Sequence, residues 1–219
     1  MKNYKLFFIL STFVISIPIF LPSCSNGSNA HKTPNSGKTA INSGKTAIKT
    51  KNNISNRLKL FGVSLQNPNR TVLEDAIKRA GLIPIKESLN DWCDSYKVTG
   101  QLDKASRLYV CYTQNDKFAY AQYVFPAFMN VKLVKHVIAM VSDKYGKPSS
   151  VNGDYSLGDV TAYWHFGSNE EIKIFRGWPS TSVYLNLINI SNRRRLLYEL
   201  HKQKEEQTAK KAKSQGNAF

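Results

Sequence analysis

Twice in this chain a stretch with one apolar helical face stops at a Gly with Pro two or three residues on, at Gly81/Pro84 and at Gly146/Pro148. Each time a series of short strand-like segments follows. In the first unit Leu73, Ala76, Ile77 and Ala80 fall on one side of a helix. Thr71-Val72-Leu73-Glu74 has the form of a capping box at its start, and Gly81 supplies a left-handed stop. The segments after it, roughly 83–88, 92–98, 107–113 and 118–125, are rich in Tyr, Val and Phe and separated by polar turns, as strands are. In the second unit an Asn130 cap opens a helix to Tyr145, with Val131, Val134, Ile138, Val141 and Tyr145 at helical spacing. Segments 154–157, 160–166, 171–178 and 182–190 read as strands, with Gly167-Ser168-Asn169 as a hairpin turn. Ahead of both units Phe61, Val63 and Leu65 alternate as one face of a strand that Asn67-Pro68-Asn69 ends.

One helix on one small sheet buries too little apolar surface to stand alone. The expectation is therefore an α+β domain over 57–191, in which two helix-plus-antiparallel-meander units, 57–127 and 128–191, share a core or a continuous sheet. A domain of about 135 residues buries around two thirds of its unfolded surface, enough for stability without metal. From Asn192 a basic helix begins, with Leu196, Leu197 and Leu200 available to dock on the sheet. Its apolar face is lost after His201, so a frayed tail is expected beyond Lys202. The turn 99–106 centres its two flanking strands near Leu102 and sets Cys93 opposite Cys111. Directly opposed residues of an antiparallel pair lie close enough for a disulfide when they occupy a non-hydrogen-bonded position.

The N-terminus is of another kind. Lys2 and Lys5 precede a run of 16 largely apolar residues, Leu6 to Leu21, closed by Pro22-Ser23-Cys24. Charged, apolar, then small is the order of a secretory leader, here 1–23. The run contains Pro18 and falls short of the roughly 20 residues a helix needs to span hydrocarbon. Residues 24–56 are Ser, Asn, Gly, Lys and Thr with a tandem NSGKTAI, a composition that suits a disordered, basic tether. The two SGKT pieces lack the Gly that a phosphate-binding loop needs; Thr39 stands at that position before Gly44.

Charge is distributed to match. Of the net +16, residues 1–55 contribute seven Lys and no acid, and 191–219 contribute eight basic residues against three acidic ones. Most of the excess thus lies outside the foldable part, which argues against a nucleic-acid interface on the domain. The basic segments suit anionic lipid headgroups or an acidic envelope partner, or serve only as solvated tails.

Leu21, Ser23 and Cys24 match the pattern of a bacterial lipoprotein signal, which this N-terminus resembles; Pro22 departs from it. The resemblance implies cleavage before Cys24, a diacylglycerol on its sulfur and an acylated new N-terminus. Ser25 stands where an Asp would mean inner-membrane retention, so the outer membrane facing the periplasm is expected. The alternatives are an ordinary cleaved leader with Cys24 a free thiol, and an uncleaved anchor. With Cys24 lipidated, Cys93 and Cys111 remain as one pair, and an oxidising periplasm permits them to bond. Anchor, tether and paired units together resemble envelope lipoproteins of the barrel-assembly accessory type, and the doubled unit is similar in plan to the tandem β-lactamase inhibitor protein. These resemblances imply a non-catalytic, cofactor-free domain that binds another envelope protein through an exposed sheet face.

The residues themselves offer little chemistry. His31, His136, His165 and His201 are scattered without metal-ligand spacing, and there is no HExxH, CxxC or GxSxG. Asp91 and Asp94 flank Trp92 and Cys93 and read as solvated turn residues or as a catalytic pair. The cluster Arg176-Gly177-Trp178-Pro179 reads as an interface anchor or as the cap of a core. Trp164 alternates in phase with Val160, Ala162 and Phe166 and belongs to the core. If the domain instead bound glycan or acted as a small enzyme, Trp178 and Tyr184 would be the aromatic candidates.

Overall fold

The computed structural model describes residues 57–87, 92–177 and 180–216. The fold is α+β, with three helices, a large antiparallel sheet and a small hairpin. The opening segment is that hairpin rather than one strand: β1 (Lys59–Leu60) pairs with β2 (Val63–Ser64) around Phe61 and Gly62. Both turn residues have positive φ, 48° and 84°, as a two-residue hairpin turn requires. The alternation of Phe61, Val63 and Leu65 survives only in part, with Leu65 fully buried and the other two half-buried.

Helix α1 (Arg70–Arg79) starts one residue before the expected capping box, and the box does not form. Asn69 is the N-cap without a side-chain bond to the helix, and the Glu74 carboxylate accepts from Arg70 Nε at 2.7 Å. A guanidinium one turn away outcompeted the backbone N–H for that carboxylate. Leu73, Ala76 and Ile77 are buried as the periodicity predicts. Helix α2 (Leu133–Tyr145) starts later than an Asn130 cap would place it, because 130–132 form a separate turn with Lys132 as the N-cap. It buries Leu133, Val134, Val137, Ile138 and Val141. Gly146, at φ 83°, ends it, and the Gly146 carbonyl accepts the indole N–H of buried Trp164 at 2.8 Å.

After α1 come β3 (Ile83–Lys86), β4 (Cys93–Lys97), β5 (Arg107–Tyr112) and β6 (Phe118–Pro126). After α2 come β7 (Ser150–Asp154), β8 (Asp159–Phe166), β9 (Glu170–Arg176) and β10 (Ser182–Asn189). The expected strand at 154–157 is not one: Asp154 ends β7, and 155–158 form the turn to β8. Gly153 approaches the Asp159 backbone so closely that a Cβ would lie 2.0 Å from its carbonyl oxygen. All eight strands form one sheet in the order β3-β4-β5-β6-β10-β9-β8-β7. The order reads the same from both edges under exchange of the two units, so an approximate two-fold axis passes between β6 and β10.

One face of the sheet carries the main core. Tyr96, Leu108, Val110, Ala121, Phe125, Val183, Leu185, Ile172, Ile174, Val160 and Ala162 join the apolar sides of α1 and α2 in a single cluster spanning both units. On the opposite face α3 (Ile190–Gly216) packs near β6, β5 and β10. Leu196 is fully buried there and Leu200 packs beside it, whereas Leu197 stays exposed. The helix continues well past Lys202, correcting the expected fraying. Its Lys, Glu, Gln and Ala residues are good helix formers, and Arg195–Glu199 and His201–Glu205 pair one turn apart.

Candidate binding face of the sheet

Side chains alternate across a strand, so residues that miss the main core line the other face. The registers arrange them in rows that run across the sheet. One row runs Lys86, Ser95, Tyr109, Gln122, Asn186, Lys173, Tyr163, Ser150. The next runs Ile83, Lys97, Arg107, Val124, Tyr184, Phe175, Thr161, Asn152. A third row, Cys93, Cys111, Tyr120, Ile188, Glu171, His165, lies where α3 docks. In the first two rows Tyr109, Val124, Tyr163, Phe175 and Tyr184 remain only half-buried.

The rings on this face are organised by their neighbours. Phe175 and Tyr184 stack with centroids 4.9 Å apart. The Lys173 ammonium lies 5.2 Å from the Phe175 centroid and 5.4 Å from that of Tyr163. Arg107 lies over Tyr109 at 5.9 Å and donates to its hydroxyl at 3.0 Å. At the centre Gln122 donates to Asn186 Oδ1 at 2.9 Å, and Asn186 donates to the Lys173 carbonyl at 3.3 Å. These two rows contain cations and no carboxylate. The arrangement holds positive charge over aromatic rings, the geometry of cation–π attraction.

The structure separates the residues singled out from sequence. Tyr184 is on this face, in the stack with Phe175. Arg176 points the other way and is buried: its guanidinium donates to the carbonyls of Ser180 at 3.2 Å and Phe128 at 3.4 Å, tying the end of β9 to two loops. Trp178, Asp91 and Cys24 lie outside the described residues. Cys93 and Cys111 occupy opposed positions of β4 and β5 with sulfurs 2.07 Å apart, the expected disulfide. Half-buried Trp92 packs beside them. His136 is half-exposed with Asp103 at 3.6 Å, and His165 has Glu171 at 3.4 Å.

Asp94 is not a solvated turn residue. It is fully buried on the core face, where Arg70 Nη2 donates to its Oδ1, and the Arg70 guanidinium lies 5.2 Å over the Tyr112 ring. Burial lowers the Arg70 pKa, but the Glu74 hydrogen bond and the charges of Asp94 and Glu74 outweigh it, and the net shift is upward. Burial likewise pushes the Tyr112 and Tyr96 hydroxyls far above the ordinary phenol range. This cluster ties α1 to the sheet.

Sequence reasoning missed Arg107, Tyr109, Tyr163, Lys173 and Phe175 as members of one surface. Each sits at the polar phase of its strand, and reading that phase across consecutive strands would have collected them. Among the described residues no group of His, Cys, Asp and Glu is placed to hold a metal ion, and no helix is long and apolar enough to cross a membrane. In comparisons with protein-family models, curated proteins and solved structures, nothing matches this chain.

Proposed function

We propose that this chain is a non-catalytic lipoprotein, anchored through lipid on Cys24 to a bacterial envelope membrane, that presents its α+β domain to another envelope protein. The observation that carries this reading is the part of the sheet face that no described element covers, two rows in which aromatic side chains and cations alternate with small polar ones. Half-buried rings on a rigid sheet offer large contact area at small entropic cost, the property that makes Tyr and Phe frequent at protein interfaces. The leader-like N-terminus and the Lys-rich segment before residue 57 support the anchor and the reach, and the basic, exposed part of α3 suits a nearby anionic lipid surface. Ser25 after the Cys, where an Asp would mean inner-membrane retention, supports an outer-membrane position facing the periplasm.

The test is capture from the native envelope with the full chain as bait. A defined protein should co-purify with the wild type and be lost with Phe175→Ala plus Tyr184→Ala in a protein that still melts normally; capture indifferent to both substitutions would count against the face. In the same host, a fatty-acid analogue should label the wild type and not Cys24→Ser. A second reading is a glycan-binding module that uses the half-buried Tyr184. Retention on peptidoglycan that requires Tyr184 would favour it.

A further inference from the structure

The two-fold relation between the units carries over to the binding face. Exchange of β5 with β9 and of β6 with β10 about the central axis brings Arg107 onto Lys173 and Tyr109 onto Phe175. Both members of each pair are two residues apart on one strand, and in both the cation lies over the ring, at 5.9 Å and 5.2 Å. The face thus has two equivalent cation–aromatic half-sites flanking the Gln122–Asn186 amide pair. Three interstrand steps and a two-residue offset separate their backbones by about 16 Å.

Resting on the protein-binding reading above, we propose that this face binds a partner protein through two carboxylates spaced about 16 Å apart, one at Arg107 and one at Lys173. Charge complementarity identifies the occupant. The two rows hold Lys86, Lys97, Arg107 and Lys173 but no acid, and Glu171, in the adjacent row, is already beside His165 at 3.4 Å. Asp154 and Asp159 face each other one row beyond the second, on the edge pair β7–β8. A protein is favoured over an acidic polysaccharide because sugar rings stack on open aromatic faces. Here Phe175 is stacked against Tyr184, and the rings of Tyr109, Tyr163 and Phe175 each have a cation over them. What such rings offer is a low-dielectric rim around each cation, and that strengthens its attraction for a carboxylate.

The experiment uses two alanine-based helical peptides of equal charge as probes for the full chain. In one, two Glu stand eleven positions apart, on one side of the helix and about 16 Å from each other; in the other they stand four apart, about 6 Å. Titration at low salt, followed by amide shifts, should show the wide-spaced peptide binding at least about ten-fold more tightly, an advantage abolished by Arg107→Gln and by Lys173→Gln alone. Equal binding of both peptides, or an advantage that survives either substitution, overturns the proposal. So does an oligogalacturonate that shifts this face where the peptides do not. Capture of an envelope protein that needs Phe175 and Tyr184 but neither Arg107 nor Lys173 overturns the two-carboxylate inference while leaving the protein-binding reading intact.

Discussion

Asp94 sits two residues from the half-buried Trp92 and one from the disulfide, yet its side chain goes inward to Arg70. An ion pair removed from water depends on both partners, since either one left alone is an uncompensated buried charge. Asp94→Ala should therefore cost about 3–5 kcal/mol in urea unfolding, whereas Arg70→Met combined with Asp94→Leu should recover most of that loss. Equal destabilisation by the single and the double change would show that the pair does more than neutralise itself. Sequence alone hid the pair because Asp94 reads as a solvated turn residue and Arg70 falls between the Asn67-Pro68-Asn69 turn and the Thr71 motif, in no pattern of its own. Twenty-four positions separate them, and no local pattern links two charges that far apart. Glu170 presents the opposite case: it is buried, its Oε1 has no hydrogen-bond partner among the described residues, and burial raises its pKa despite the charge of Arg57. The folded state then holds this proton more tightly than the unfolded chain. Stability should fall as pH rises from the ordinary carboxylate range through the raised value, and stay lower above it. Glu170→Gln should remove that component and stabilise the domain at pH 7 but not at pH 3, measured by thermal melts at both pH values.

At the level of elements, the disulfide and α3 form one unit. Cys111, Ala119 and Leu196 pack together, with Cys93, Trp92, Tyr120 and Leu200 around them, so the bridge is part of the seat on which the C-terminal helix rests. Its position was legible because hairpin register is a matter of counting from the turn, and the count from Leu102 placed Cys93 against Cys111. The extent of α3 was not, because beyond Leu200 no buried residue marks it and only propensity and i,i+4 pairs sustain it. The capping box at Thr71 failed for a related reason: the motif specifies what Glu74 can reach along the backbone, not that Arg70 reaches it first. Closing the loop between Cys93 and Cys111 should contribute about 3 kcal/mol in the chain-entropy model. Cys93→Ala with Cys111→Ala should lower stability by about that amount and also increase amide exchange in α3 around Leu196. Loss of stability with α3 exchange unchanged would mean the helix holds its seat without the bridge. Alkylation of unreduced protein should find neither thiol free.

Across the whole domain, the doubled helix-and-strands plan was readable from the recurring Gly and Pro punctuation, but the way the units join was not. Nothing local in β6 or β10 distinguishes a central strand from an edge. What places them at the centre is that they pair with each other over seven opposed positions, Ser182 with Pro126 through Ile188 with Tyr120. The same pairing creates the candidate face, since Gln122 meets Asn186 and Val124 meets Tyr184 only when both units are present. A unit expressed alone would expose the backbone edge of β6 or β10. It would also expose its half of a core in which Phe125, Val183, Leu185 and Ile172 belong to one cluster, at about 25 cal/mol for each Å² of apolar surface left wet. An unpaired, apolar central strand is moreover a template for association with other chains. Residues 57–216 should melt in a single cooperative transition, whereas 57–127 and 128–216 should each lack one and aggregate at micromolar concentration. Mixing the two fragments should restore both the transition and the shifts of Gln122 and Asn186. A sharp, reversible melt of either fragment by itself would mean that β6 and β10 join two finished domains, and that the face between them is an interface rather than part of one core.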